Sequence, residues 1–113
     1  MREIKVYLRR EALEAVMRAH RDAGVAHVVV NHVQSFGSGV DPQQWRLSME
    51  AGGQYSEHAK LEFVCAEDEV DEFVRIIQQQ GRTGTRGDGV IFVSPVERAV
   101  KIRTGVEGRE ALR

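Results

Sequence analysis

Twice in this chain a short apolar strand pattern runs into an amphipathic helix that a glycine closes. No other feature narrows the choice of fold as much. Residues 4–8 place Ile4, Val6 and Leu8 in alternation with Lys5 and Tyr7, the period-2 pattern of a half-buried strand. Residues 11–23 then carry Leu13, Val16, Met17 and His20 on one face at helical spacing, and Gly24 is a natural stop. The second unit repeats the plan. Residues 61–65 predict a strand. Glu67, Asp68 and Glu69 put negative charge where a helix start favours it. Val70, Phe73, Val74 and Ile77 form the i, i+3, i+4, i+7 stripe, and Gly81 ends the helix. The valine-rich stretch 26–33 predicts a strand after the first helix, and 90–93 predicts one after the second. A short fifth strand is expected over 100–103.

This order is the split βαβ arrangement, with both helices on one face of an antiparallel sheet. The other face is left open, and an open face with apolar positions calls for a partner, so an oligomer is expected. At 113 residues the chain is expected to form one domain, 1–113. Sixteen Lys plus Arg against 17 Asp plus Glu leave a net charge of -1, so no basic excess draws it to nucleic acid. The single cysteine, Cys65, allows no internal disulfide and reads as a small buried side chain at a strand end. The charged start Met1-Arg2-Glu3-Ile4-Lys5 does not resemble a signal peptide, and no apolar run reaches the ~20 residues of a membrane span. A cytoplasmic protein is the expectation.

Two stretches escape regular patterning. Residues 37–57 hold Gly37, Gly39, Pro42, Gly52 and Gly53 with three glutamines among them. Loops longer than about 12–15 residues in a compact domain are commonly functional or disordered. Trp45, Leu47 and Met49 alternate, so the segment either extends a hairpin or forms a mobile partner-binding loop, the reading we favour. The second stretch, from Gly81 to Gly89, has four glycines in nine residues. Successive backbone N–H groups in such turns make anion-binding concavities. It is no Walker A loop, since it lacks a Gly-Lys-Ser/Thr ending and runs from helix to strand. A plain connection is the simpler reading. Downstream, Lys101 and Arg103 sit two apart on the expected fifth strand and would share a face, which suits a di- or triphosphate.

From Thr83 to Gly105 the run Thr-Gly-Thr-Arg-Gly-Asp-Gly-Val-Ile-Phe-Val-Ser-Pro-Val-Glu-Arg-Ala-Val-Lys-Ile-Arg-Thr-Gly resembles the C-terminal signature of the PII signal-transduction proteins. Gly24-Val25, Val33-Gln34-Ser35-Phe36-Gly37 and Lys60-Leu61-Glu62 sit where that family has comparable features. The resemblance implies an α+β fold, a ferredoxin-like βαββαβ sandwich with a short extra C-terminal strand, assembled as a homotrimer. It implies a regulator rather than an enzyme, binding an adenine nucleotide (ATP, ADP or AMP) between subunits. A T-loop at about 37–57 would dock on a membrane transporter or a metabolic enzyme, most simply in nitrogen regulation. By position, Gly87, Asp88 and Gly89 of a phosphate-binding loop at about 82–90 would meet the phosphates, with Gly37 at the T-loop base. Lys101 and Arg103, in a C-terminal segment at about 96–113, would reach them from a neighbouring subunit. Glu62 and Val64 would lie near the adenosine, with Val28 and Val29 lining the adenine slot.

The chain departs from the family at chosen points. Gly39 stands where many members have a glutamine that holds magnesium and 2-oxoglutarate. Ala51 stands at the tyrosine modified in many bacterial members. Val90 and Thr85 replace lysines, which should weaken triphosphate relative to di- or monophosphate. These changes also fit a divergent PII-like sensor of AMP or ADP with bicarbonate, held by the T-loop base and Arg46, linked to inorganic carbon or another transporter. Two rivals remain: a slow nucleotide hydrolase, and a structural or metal-binding trimer. No HxH or HExxH spacing joins His20, His27, His32 and His58. His20 reads as a core or interface residue. No Ser-His-Asp arrangement is evident, and helix-start electrostatics explains Glu67-Asp68-Glu69.

Overall fold

A computed structural model describes residues 1–37, 43, 46–48 and 53–113. Among these residues five strands and two α-helices run in chain order as β1 (Arg2–Arg9), α1 (Leu13–Asp22), β2 (Val29–Ser35), β3 (Arg46–Ser48), β4 (Gly53–Cys65), α2 (Val70–Gly81) and β5 (Gly89–Pro95). The main sheet has the order β2-β4-β1-β5, with every neighbour antiparallel. This is the ferredoxin-like α+β arrangement.

Alternation decides what each face does. Ile4, Val6 and Leu8 of β1 and Ala59, Leu61, Phe63 and Cys65 of β4 turn to one side and are buried. Val16 of α1 and Phe73 and Ile77 of α2 close over them. Each large apolar side chain removed from water contributes about 1.5–3 kcal/mol, so this layer is the main source of stability. The opposite face carries Lys5, Tyr7, Lys60, Glu62, Val90 and Phe92. There Lys60 pairs with Glu62 at 2.8 Å, and Tyr7 meets Phe92 edge to face at 6.3 Å. Phe92 is 53% exposed on this uncovered side.

The three acids before α2 each have their own partner. Arg2 Nε and Nη2 grip Glu67 at 2.7 and 3.2 Å. Arg109 approaches Asp68 at 3.4 Å. Glu69 reaches back to accept the Ala66 N–H at 3.0 Å, capping the 3-10 turn 67–69 that leads into the helix. The helix-start reading of that cluster stands.

Three expectations change. The strand expected at 61–65 begins at Gly53, because its first part pairs with β2 and β3 rather than forming a loop. Described residues 46–48 and 53–55 thus form a hairpin, while the rest of the 37–57 segment, Gly39, Trp45, Met49 and Ala51 included, lies outside the described residues. The fifth strand over 100–103 does not form. Val100 makes an isolated bridge to Glu107, and residues 102–104 turn, closed by Gly105 N–H on the Lys101 carbonyl at 2.8 Å. Finally, His27 precedes β2, so it and His32 do not share a strand.

His20 is buried at 1% exposure, edge-on to Phe63 and Phe73 with centroids at 4.9 and 5.6 Å. Neither ring nitrogen has a hydrogen-bond partner among the described residues. Burial pushes its pKa below the ordinary 6.5, against a weaker opposing pull from the Phe73 backbone. Cys65, also buried, has its thiol pushed up to about 11 by burial first and Glu69 second.

Two predictions follow from the core and the sheet edge. The unfolded chain takes up the His20 proton before the folded one does. Stability from His20 is therefore full above about pH 6.5 and declines below it, by up to ~1.4 kcal/mol per pH unit, until the folded group titrates. Urea midpoints measured from pH 7 to 5 should fall more steeply for the parent than for His20→Leu, and equal slopes would contradict a proton-excluding His20. Gly89 opens β5 with φ +108°, and a Cβ there would lie 1.7 Å from the Tyr7 carbonyl oxygen. Gly89→Ala should cost more than ~3 kcal/mol. Gly84→Ala, with φ +87° but open space around it, should cost only ~1 kcal/mol. Chemical denaturation of both variants checks the contrast.

Candidate functional site

The connection from α2 to β5 is a loop knit around one carboxylate. Asp88 Oδ2 accepts the backbone N–H groups of Thr83 and Gly84, each at 2.8 Å. Asp88 Oδ1 accepts Arg9 Nε at 3.1 Å and the Thr83 hydroxyl. Arg9 Nη2 donates to Thr85 Oγ1 at 2.9 Å and to the Arg86 carbonyl. Because the Thr83 hydroxyl gives its hydrogen to Asp88, the Thr85 hydroxyl donates to Thr83 Oγ1, 2.7 Å away. The hydroxyls thus form a directed relay, Arg9 to Thr85 to Thr83 to Asp88. Burial alone would raise the Asp88 carboxyl. The Thr83 hydroxyl, the Thr83 and Gly84 amides and the Arg9 guanidinium outweigh it and hold the group well below the ordinary carboxylate range.

Two residues reach the loop from the sheet. Arg9 is the last residue of β1 and only 8% exposed, and His58 of β4 is its cross-strand partner. His58 Nε2 lies 3.3 Å from the Gly87 carbonyl. A carbonyl only accepts, so this nitrogen carries the hydrogen. Meanwhile the Asp88 N–H closes the turn over residues 86–87 toward the Thr85 carbonyl, and the amides of Arg86 and Gly87 find no acceptor among the described residues. They are the groups of this loop free to meet an anion.

A cleft of about 400 Å³ beside the loop is lined by Tyr7, Ser35, His58, Thr85, Gly87, Asp88, Gly89 and Val90. The three loop residues singled out from the sequence therefore share one cleft. Asp88 differs in how it takes part, since its carboxylate is turned into the loop. Gly89 is in β5 opposite Leu8. Gly37 lies two residues beyond the end of β2, which brings Ser35 to this cleft.

The other sequence-marked residues sit elsewhere. Val29, Glu62 and Val64 line a second cleft of about 390 Å³, together with Glu3, His27, Ala111 and Leu112. Val28 packs against the core instead. The two clefts border β1 at Tyr7 and at Glu3, four residues apart, so they are separated by about 13 Å along the strand. Lys101 and Arg103 lie in the C-terminal turn. Lys101 Nζ donates to the Arg113 carbonyl, and Arg103 is exposed with no partner among the described residues. No group of three metal-ligating side chains is present among the described residues.

Sequence reasoning missed Arg9 entirely and named His58 only among four histidines that share no metal-binding spacing. Their signal is faint: one arginine at the end of β1, and one histidine in a strand of mixed polarity. Their role depends on register, which pairs positions 49 apart.

Comparison with known proteins accords with this geometry. The family model described as "Nitrogen regulatory protein P-II" matches residues 1–106. Proteins of that name from Microchaete diplosiphon and Cereibacter sphaeroides are 34% and 35% identical, over 99% of this chain and 100% of their own length. One from Pasteurella multocida is 31% identical over the same shares. With a family match across nearly the whole chain and relatives aligned end to end, the chain belongs to the nitrogen regulatory protein P-II family.

Proposed function

We propose that this chain is a trimeric regulator that binds an adenine nucleotide between copies. The occupant sets the conformation of the 37–57 segment, through which a transporter or metabolic enzyme is controlled in nitrogen regulation. The observation that carries this reading is the Asp88-knit loop with its free amides at Arg86 and Gly87. A site shared between copies would use both clefts. One copy would give phosphate amides, while another would give the base cleft at Val29, Glu62 and Val64. Arg103, exposed and unpaired among the described residues, is available to reach across with Lys101.

A regulator rather than a hydrolase fits the same loop. Its only carboxylate has both oxygens occupied by loop donors and Arg9, which leaves no base there to activate water. No helix among the described residues is long and apolar enough to cross a membrane, in keeping with a cytoplasmic protein recruited to a transporter.

A second reading, a sensor of AMP or ADP with bicarbonate, is favoured by one feature. Thr85 and Val90 stand where the family often carries lysines. Thr85 is tied to Arg9, and Val90 presents an exposed apolar side chain to the phosphate cleft. Two fewer cations weaken a triphosphate most. A ligand shifts the loop only by binding its states unequally, so the second effector is the one that changes nucleotide affinity.

Calorimetric titration with ATP, ADP and AMP separates these readings, each with and without magnesium plus 2-oxoglutarate or bicarbonate. Tighter ATP with 2-oxoglutarate supports the nitrogen sensor, and tighter ADP or AMP with bicarbonate supports the carbon-linked one. Arg103→Ala should weaken nucleotide binding by about 1.5–3 kcal/mol, the range for a charged hydrogen bond. Absence of binding by all three nucleotides would overturn the proposal.

A further inference from the structure

The Arg9–His58 pair is more than a sheet contact. It joins the ends of two strands and meets four consecutive loop residues: Arg9 takes Thr85, Arg86 and Asp88, and His58 takes Gly87. Both side chains are buried, at 8% and 6% exposure. Two of the four contacts are made to backbone carbonyls, those of Arg86 and Gly87. The chain has no cis peptides. In a planar trans peptide the carbonyl and the following N–H point opposite ways. Holding the Arg86 and Gly87 carbonyls toward the pair therefore turns the Gly87 and Asp88 amides away from it. The Gly87 amide lacks an acceptor among the described residues, and the Asp88 amide closes the turn over residues 86–87.

We infer that Arg9 and His58 are the positioning residues of the anion loop. They touch no phosphate themselves; they fix which way its peptide planes face. The inference rests on the nucleotide-binding reading for its consequence, but its geometry does not. Glycines give this loop freedom, and freedom must be removed before amides can converge on an anion. Arg9 is suited to the task because its planar fork serves a carboxylate, a hydroxyl and a carbonyl at once. A lysine ammonium cannot hold that shape. His58 supplies one N–H at a fixed height above β4, and a glutamine amide can place a donor near the same point.

The test uses the full chain with Arg9→Gln, Arg9→Lys, His58→Leu and His58→Gln. Two readouts are taken: affinity for ADP, and amide hydrogen exchange of residues 83–88 without ligand. Arg9→Gln, Arg9→Lys and His58→Leu should each lose tenfold or more in affinity, with Thr83 and Gly84 exchanging at least tenfold faster. His58→Gln should stay within threefold of the parent in both. Melting temperatures should stay close to the parent value in His58→Leu, which separates positioning from general destabilisation. Should Arg9→Gln fail to fold, the two His58 variants carry the test alone. Parent-like affinity and exchange in His58→Leu would overturn the inference, as would affinity losses that merely track melting temperature. If the parent binds no nucleotide, the binding reading falls and exchange alone decides. Faster loop exchange in His58→Leu but not His58→Gln then supports the positioning role, and unchanged exchange removes it.

Discussion

The contact between Arg9 and Asp88 is the one on which the rest of the site depends. At 3.1 Å, with side chains 9% and 23% exposed, it is too sheltered to behave as an ordinary surface pair. Such a pair is weak proof of net stability, because desolvating two charges offsets much of their attraction. Its effect is better seen in what it specifies. Asp88 folds back on its own loop, Arg9 anchors that fold to β1, and Thr83 and Thr85 fill the space between with a chain of hydroxyls. A connection rich in glycine thereby takes one shape. The carboxylate stays ionised down to low pH, so the shape holds across the physiological range.

The sheet divides the labour between its faces. One face is sealed by two helices over Ile4, Val6, Leu8, Leu61 and Phe63, with His20 wedged among aromatics as a neutral ring. The other face stays uncovered and mixes charge with exposed apolar groups such as Phe92 and Val29. A rigid, sealed side lets the open side present clefts at both ends without collapsing. The cleft beside the loop and the cleft at Val29, Glu62 and Val64 then belong to one surface, about 13 Å apart along β1.

Much of this was legible in the sequence, for local reasons. Alternation at 4–8 and the helical stripes of Leu13–His20 and Val70–Ile77 announced β1, α1 and α2, because a single buried face imposes its period directly. Glu67, Asp68 and Glu69 could be placed at a helix start because the preference for negative charge there is local. β4 was half hidden: between Gly53 and Lys60 polar residues occupy both faces, and pairing with β2 and β3 makes the strand. The expected strand at 100–103 failed for the opposite reason, since its alternation found no neighbour and the chain turned instead. The glycines of the loop drew attention to Gly87 and Gly89. The need for glycine at 89, however, comes from the Tyr7 carbonyl, which only the β1–β5 register brings close. The same holds for Arg9 and His58, whose meeting with the loop is a product of tertiary structure.

The most direct test of the central claim is a crystal structure of the assembled chain with ADP. The account predicts phosphate oxygens on the Arg86 and Gly87 amides of one copy and the base beside Val29 and Val64 of another, with Asp88 still bound to Arg9. A nucleotide held wholly within one copy would contradict the account, as would one bound away from the loop with those amides unoccupied.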